Sequence, residues 1–267
     1  MPSPPAMHET AYERNQRANP LTRWLHGFRY RSIHQIVDRL VAERPGQPLR
    51  VLEIGTAHGK LFEELDRRYE LRYVGIELDP AFCRTARERH GWRDNFELRE
   101  GSAADPALWG DLERPDLVVA METLEHIPER ADVRIIERVA ALAPRCFVAS
   151  VPVEVGPAIW IKNVGSRLTG YNRHKSYSWR DTFWAGLYQL DRLPPHGTGH
   201  RGFDWRWLAH TIRHYFVIRE IRRSPFPFVP TPLAFSVMFV TEPRVPAVVT
   251  APATAGLQPA AELAGSR

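Results

Sequence analysis

Two short apolar runs, each ending near a carboxylate and set about twenty residues apart, constrain this chain more than any other feature. The first is Val51-Leu52-Glu53-Ile54, followed by the small-residue turn Gly55-Thr56-Ala57-His58-Gly59; the second is Tyr73-Val74-Gly75-Ile76-Glu77-Leu78-Asp79. Apolar runs of this length, bounded by turn residues, are expected as buried strands, and a helix over Lys60–Arg68 fits between them. Parallel strands need such a crossover, so the pair predicts a βαβ unit.

The alternation continues along the chain. Leu21–Glu43 carries Leu25, Phe28, Ile33, Ile36, Val37, Leu40 and Val41 at helical spacing, and Pro45-Gly46-Gln47-Pro48 ends it. Strands are expected at Arg50–Ile54, Leu71–Ile76, Asn95–Arg99, Asp116–Met121 and Arg145–Val151, with helices at Pro80–His90 and Ala131–Leu142. Beyond Val151 the pattern loosens. Helices are expected at Pro157–Leu168, Trp179–Leu190 and Trp205–His214, and strands at Phe216–Arg222 and Phe235–Thr241. Strands separated by helices imply a mostly parallel sheet covered on both faces.

Glycines let a backbone approach a ligand closely, and an acid at the end of the second strand can accept two hydroxyls of a ribose. Dinucleotide folds place G-x-G-x-x-G here to hold a pyrophosphate. This chain has E-x-G-x-A-x-G, and an acid before the glycines suits a cationic or amine-bearing ligand better than a phosphate.

The pattern resembles motif I of the class I S-adenosylmethionine-dependent methyltransferases. Asp116-Leu117-Val118-Val119-Ala120-Met121-Glu122-Thr123-Leu124-Glu125-His126-Ile127-Pro128 is similar to that family's fourth strand and its "LEH-x-P" ending, and Asn19-Pro20-Leu21-Thr22-Arg23-Trp24 to its lead-in segment. The resemblance covers roughly residues 20–155. It implies an α/β fold: a Rossmann-like, doubly wound, mostly parallel seven-stranded sheet with an antiparallel last strand, plus a helical and loop substrate cap. It implies S-adenosyl-L-methionine as cofactor. Glu53, Gly55, Ala57 and Gly59 would then cradle the methionine part, with Ala57 departing from the family's usual glycine. Glu77 would take the ribose, Leu78 would pack on the adenine, and Ser102 and Ala103 would meet the base where the family has Gly-Asp-Ala, with Asp105 as an alternative acid. Met121 and Glu122 would line the methionine side.

Methyl transfer from a sulfonium is an in-line displacement, and a hydroxyl acceptor usually needs a base. His126, just beyond a strand end, is the first candidate, with Glu125 either orienting it or solvated; the alternative is that His126 caps the following helix or packs against the Leu124 turn. His200 in His200-Arg201-Gly202-Phe203-Asp204-Trp205 is the second, with Asp204 read as a helix N-cap and Trp205 as a possible ring platform. His196 with His200, and His210 with His214, have ligand-like spacing, but no Glu or Cys completes either set, so no metal site is expected.

Charge leaves the acceptor open. The net charge is +5, nearly all of it arginine, the lysines being Lys60, Lys162 and Lys175. This fits either a codon bias or recognition of anionic groups. Gly156–Pro225 holds twelve Lys/Arg against four acids, together with most of the tryptophans. The favoured acceptor is a small molecule, glycan or lipid-linked group methylated at oxygen. Nucleic acid is the alternative, though neither an Asn/Asp-Pro-Pro-aromatic motif nor a Pro-Cys setting is present. A non-catalytic cofactor binder is a third reading, peripheral membrane contact is open, and no obligate protein partner is evident. Two cysteines make no disulfide framework, no apolar run approaches the ~20 residues of a membrane span, and a cytoplasmic location is expected. The expected organisation is a flexible segment 1–19, a domain over 20–241 with a cap insertion about 156–210, and a disordered tail 242–267.

Overall fold

The structure, a computed structural model, describes residues 20–127, 131–168, 177–197 and 199–244; side chains of 20–26, 167 and 168 are outside the description. The segment 1–19, the basic stretch at 169–176, and the tail from 245 onward lie outside the described residues, as does the side chain of Leu25.

Helix α1 (Pro20–Glu43) leads into β1 (Leu49–Ile54), α2 (Lys60–Asp66), β2 (Leu71–Glu77), α3 (Pro80–His90), β3 (Phe96–Glu100), β4 (Leu117–Met121), α4 (Ala131–Ala141) and β5 (Cys146–Pro152). Then come α5 (Pro157–Leu168), α6 (Trp179–Gly186), α7 (Trp205–Tyr215), β6 (Phe216–Ser224) and β7 (Ser236–Pro243). Seven strands form one sheet in the order β3-β2-β1-β4-β5-β7-β6. The pairs from β3 to β5 are parallel; β7 runs antiparallel to both β5 and β6.

The central strands are apolar throughout because both faces are covered. All seven residues of β5 are buried, as are the first four of β4. Side chains alternate across the sheet, so successive residues enter different cores. Leu52, Val118, Phe147 and Ala149 pack with Ile135, Ile136 and Val139 of α4 and Leu208 and Ile212 of α7. Val51, Leu117, Val119 and Val148 pack with Ile33, Ile36 and Val37 of α1 and Leu61 and Phe62 of α2. At the amino ends of the strands, Asp116 accepts the Arg50 backbone N–H at 3.0 Å and lies beside Arg44 and Arg145.

The sequence expectation places most element ends within two residues of those observed. One helix is shorter. Trp179–Leu190 was expected, but α6 stops at Gly186 and a 3-10 turn follows at Leu190–Arg192. The cause is Tyr188, which adopts φ +62 and carries its hydroxyl against the Gly156 turn, while Gly156 N–H bonds Ala185 C=O at 2.9 Å. Docking the helix end onto that turn wins over the apolar periodicity.

Helices α5 and α6 pack on each other around Ile159, Tyr177, Ala185 and Leu193. Below them the buried Lys162 ammonium donates to Val153 C=O at 2.7 Å and lies 3.3 Å from buried Glu154. Ser178 and Asp181 start α6 with a reciprocal capping box. No helix among the described residues is long and apolar enough to cross a membrane.

Candidate active site

A parallel sheet whose order reverses between β1 and β4 opens a crevice at its strand carboxyl ends. A cavity of about 800 Å³ lies there, walled by the ends of β1, β2 and β4 and by Arg29 and Tyr30 of α1. That is large for a small-molecule site.

The two sequence motifs meet through one hydrogen bond. Glu77 Oε2 accepts Ala57 N–H at 2.8 Å and Oε1 accepts Asp79 N–H at 2.8 Å. Each oxygen keeps a second lone pair, and the carboxylate borders the cavity. The turn is thereby fixed to the end of β2. Ala57 takes φ +48, a left-handed conformation that costs a residue with a Cβ roughly 1–2 kcal/mol. Leu78, 66% exposed, borders the same cavity, as do Ser102 and Ala103. A carboxylate at the cavity wall next to an exposed apolar side chain is an arrangement that fits a nucleoside.

The glycines serve the fold as much as a ligand. Gly55 has φ +75, and a Cβ there would lie 2.4 Å from Thr123 Oγ1 on the loop after β4. Gly59, expected at the cofactor, does not border the cavity. It starts α2 in the left-handed region, and a Cβ there would meet the His90 ring at 2.6 Å. Its smallness lets α2 and α3 approach.

Glu53 borders the cavity but is buried, and its Oε2 accepts the hydroxyls of both Thr56 (2.6 Å) and Tyr73. Burial pushes its carboxyl from the ordinary 4.5 up to about 7, against those two hydrogen bonds; nearby Glu77 adds to the rise. Its geometry ties the turn to β2, a role beyond ligand contact. Ser102 Oγ accepts Ala104 N–H at 3.2 Å, while Asp105, the alternative acid, caps the 3-10 turn at Pro106–Leu108 through Ala107 N–H. Met121 and Glu122 border the cavity; Glu122 has φ +52 and pairs with Arg29 at 3.0 Å. Arg29 was not singled out from the sequence. Its place in an amphipathic helix gave no sign that the helix closes over β4.

His126 lies at the rim, on the 3-10 turn Leu124–His126. The loop before α7 brings His200 to it, with ring centroids 4.7 Å apart. Between them is Glu125, 0% exposed. Its Oε1 lies 3.9 Å from His126 Nε2 and 3.8 Å from His200 Nδ1. Burial, with the charge of Glu122, holds the Glu125 carboxyl well above the usual range. His196 pins the two segments together: Nε2 lies 3.0 Å from Glu125 C=O and Nδ1 3.1 Å from Arg201 C=O. Of the histidine pairs weighed from the sequence, His196 faces carbonyls, and His210 and His214 are exposed on α7. Asp204 caps α7 through Arg206 N–H at 2.9 Å, and Trp205 packs partly buried against the core rather than standing as a platform.

A family model described as a methyltransferase domain matches residues 25–223. A curated relative, the ribosomal RNA small subunit methyltransferase A of Parasynechococcus marenigrum (strain WH8102), is 29% identical over 144 residues, 54% of this chain and 46% of that protein. The chain thus spans about half the length of this curated relative. Among solved structures, the CurJ carbon methyltransferase aligns with a TM-score of 0.59 at 13% identity, over 88% of this chain and 59% of that one. The N-methyltransferase NodS of Bradyrhizobium japonicum WM9, in complex with S-adenosyl-L-homocysteine, aligns with a TM-score of 0.52 at 15% identity, over 88% and 93%. These two similarities concern the fold.

Proposed function

The chain belongs to the methyltransferase-domain family, and we propose that it is an S-adenosylmethionine-dependent enzyme that methylates a hydroxyl of a small-molecule, glycan or lipid-linked acceptor. The cofactor supplies an electrophilic methyl group on a sulfonium. Glu77 holds the ribose hydroxyls, with its carboxylate oriented by Ala57 and Asp79. Leu78 and Ala103 flank the base, with Ser102 at its edge. Gly55 and Ala57 present backbone to the methionine end, and Met121 and Glu122 close that side, where the carboxylate of Glu122 suits an ammonium. Glu53 acts one step back, by fixing the turn.

The observation that carries the oxygen acceptor is the His126–His200 pair at the rim, 4.7 Å apart around a buried carboxylate. A hydroxyl acceptor must lose its proton as it attacks, and two imidazoles beside a buried carboxylate are a setting that promotes that loss, by accepting the proton or by holding a group that acidifies it. The α5–α6 cap carries exposed Trp160, Trp179 and Phe183, which offers an apolar body to an acceptor.

Calorimetric titration with S-adenosylmethionine and S-adenosylhomocysteine, with NADH as control, tests the cofactor: binding of the first two alone supports the reading. A labelled-methyl screen of hydroxylated small molecules, lipid-linked sugars and RNA tests the acceptor. Label in RNA alone would replace the hydroxylated small molecule with a nucleic acid.

A further inference from the structure

We infer that Glu125, His126 and His200 form a binding site for one divalent cation of the zinc class, placed to hold the acceptor oxygen at the rim of the cavity. This rests on the methyltransferase reading and extends it to how the acceptor is activated.

The geometry points to a ligand centre. One atom from each residue lies within 4.8 Å of the others. The separations from Glu125 Oε1, 3.9 Å to His126 Nε2 and 3.8 Å to His200 Nδ1, exceed hydrogen-bond length. Metal–ligand bonds of about 2.0–2.2 Å put neighbouring donor atoms ~3–3.5 Å apart. Each imidazole therefore needs to close by only ~0.5 Å on Glu125, and the two imidazoles by no more than roughly 1.5 Å on each other, to share a cation.

The second observation is independent of that spacing. Both carboxylate oxygens of Glu125 are fully buried, and neither has a hydrogen-bond partner among the described residues. A buried carboxyl with neither oxygen hydrogen-bonded leaves its desolvation uncompensated in either protonation state. A cation at the shared centre resolves it. The positive charge comes to the buried oxygen, and the two imidazoles, half-exposed, complete the shell from the solvent side.

The donor set selects the ion. Two imidazoles and one carboxylate suit zinc-class metals rather than calcium, which takes oxygen ligands. Three protein ligands leave a position open, as in catalytic rather than structural sites. The acceptor hydroxyl takes that position. Its proton, made acidic by the cation, passes to solvent water. The oxygen then bonds the methyl carbon as the carbon–sulfur bond breaks, its electron pair staying on sulfur. The products are the methyl ether, S-adenosylhomocysteine and the released proton. His196 is a positioning residue here, since its bond to Glu125 C=O holds the His200 loop to the turn.

The test uses tag-free full-length protein, stripped with EDTA and titrated with Co²⁺, followed by visible d–d absorption, and then with Zn²⁺ by calorimetry. Expected is one equivalent bound by the wild type, with affinity falling at least roughly tenfold in His126→Ala, in His200→Ala and in Glu125→Gln, as loss of one of three ligands requires. His210→Ala, exposed on α7, keeps wild-type binding. Absence of a stoichiometric site, or wild-type affinity in both histidine variants, overturns the inference. S-adenosylhomocysteine titrations on the same samples separate the two readings. Nucleoside binding without cation binding removes the ion alone; cation binding without nucleoside binding keeps the ion site and removes the cofactor assignment.

Discussion

The two sides of the cavity, the proposed nucleoside side and the proposed acceptor side, are built on different principles. On the nucleoside side, the glycine turn and its acid belong to one βαβ unit, and backbone groups fix them: Ala57 N–H and Asp79 N–H aim Glu77. On the acceptor side, Glu125 and His126 come from one turn, His200 from a loop more than seventy residues on, and side chains fix them through His196. A site held by local backbone is rigid and carries a sequence signature. A site held by a docked loop depends on the tertiary fold and is the place where relatives can change substrate.

The largest effect separates them by stability. Gly55→Ala combines a strained φ with overlap onto Thr123, and should cost about 4 kcal/mol in denaturant unfolding. His200→Ala, on the docked loop, should stay within about 1 kcal/mol of wild type. Equal losses would erase the contrast.

Next is a pH effect confined to the nucleoside side. The folded carboxyl of Glu53 binds its proton more tightly than the unfolded one, so its contribution is complete below about pH 4.5 and is lost as pH rises to about 7. Wild type should therefore lose about 3 kcal/mol relative to Glu53→Gln across that window. Flat parallel curves for the two proteins would show that Glu53 is charged without penalty in the fold.

A crossed pair of variants sharpens the functional side of the comparison. Glu77→Ala should weaken S-adenosylhomocysteine binding about 100-fold, since it removes charge-assisted bonds to ribose and releases Ala57 N–H. His126→Ala should leave that affinity within about twofold while turnover falls about 100-fold. Should His126→Ala lower affinity as much as Glu77→Ala, the two sides are one site. The smallest effect comes from Ala57→Gly. It relieves a positive φ and should raise stability or affinity by about 1 kcal/mol at most, offset by the added chain entropy of glycine.

The legibility of the sequence follows the same division. The seven strands and their order of appearance were readable because central parallel strands are continuous apolar runs, as in Cys146–Ala149 and Leu117–Ala120. The pairing of Glu53 and Glu77 with a glycine turn was readable because all three are close in the chain. Gly59 was assigned to the cofactor, although its neighbour is His90: a glycine announces close approach without naming what approaches. His126 and His200 were each singled out, but their contact was not foreseeable, since a loop of seventy-odd residues later can dock anywhere on the strand ends. Glu125 had two open roles, orienting or solvated; its burial goes with the docked loop that carries His196 and His200, which its neighbours in sequence do not reveal. Arg29 was missed because a helical stripe reveals which face is buried, not which acid lies beneath it.

Strand β7 follows every other strand in the chain yet sits between β5 and β6, pairing eight registered positions with β6 and six with β5. Until the ribosome has extruded Ser236–Pro243, β5 therefore ends the sheet as an open edge, and β6 has no strand to pair with. The βαβ units carrying the nucleoside wall can assemble during synthesis, whereas closure of the sheet waits for its penultimate position to be filled from behind. A nascent chain stalled before residue 236 would expose the edge of a strand that is buried along its whole length in the fold, which makes this late insertion the step at which chaperone binding or self-association would compete with folding.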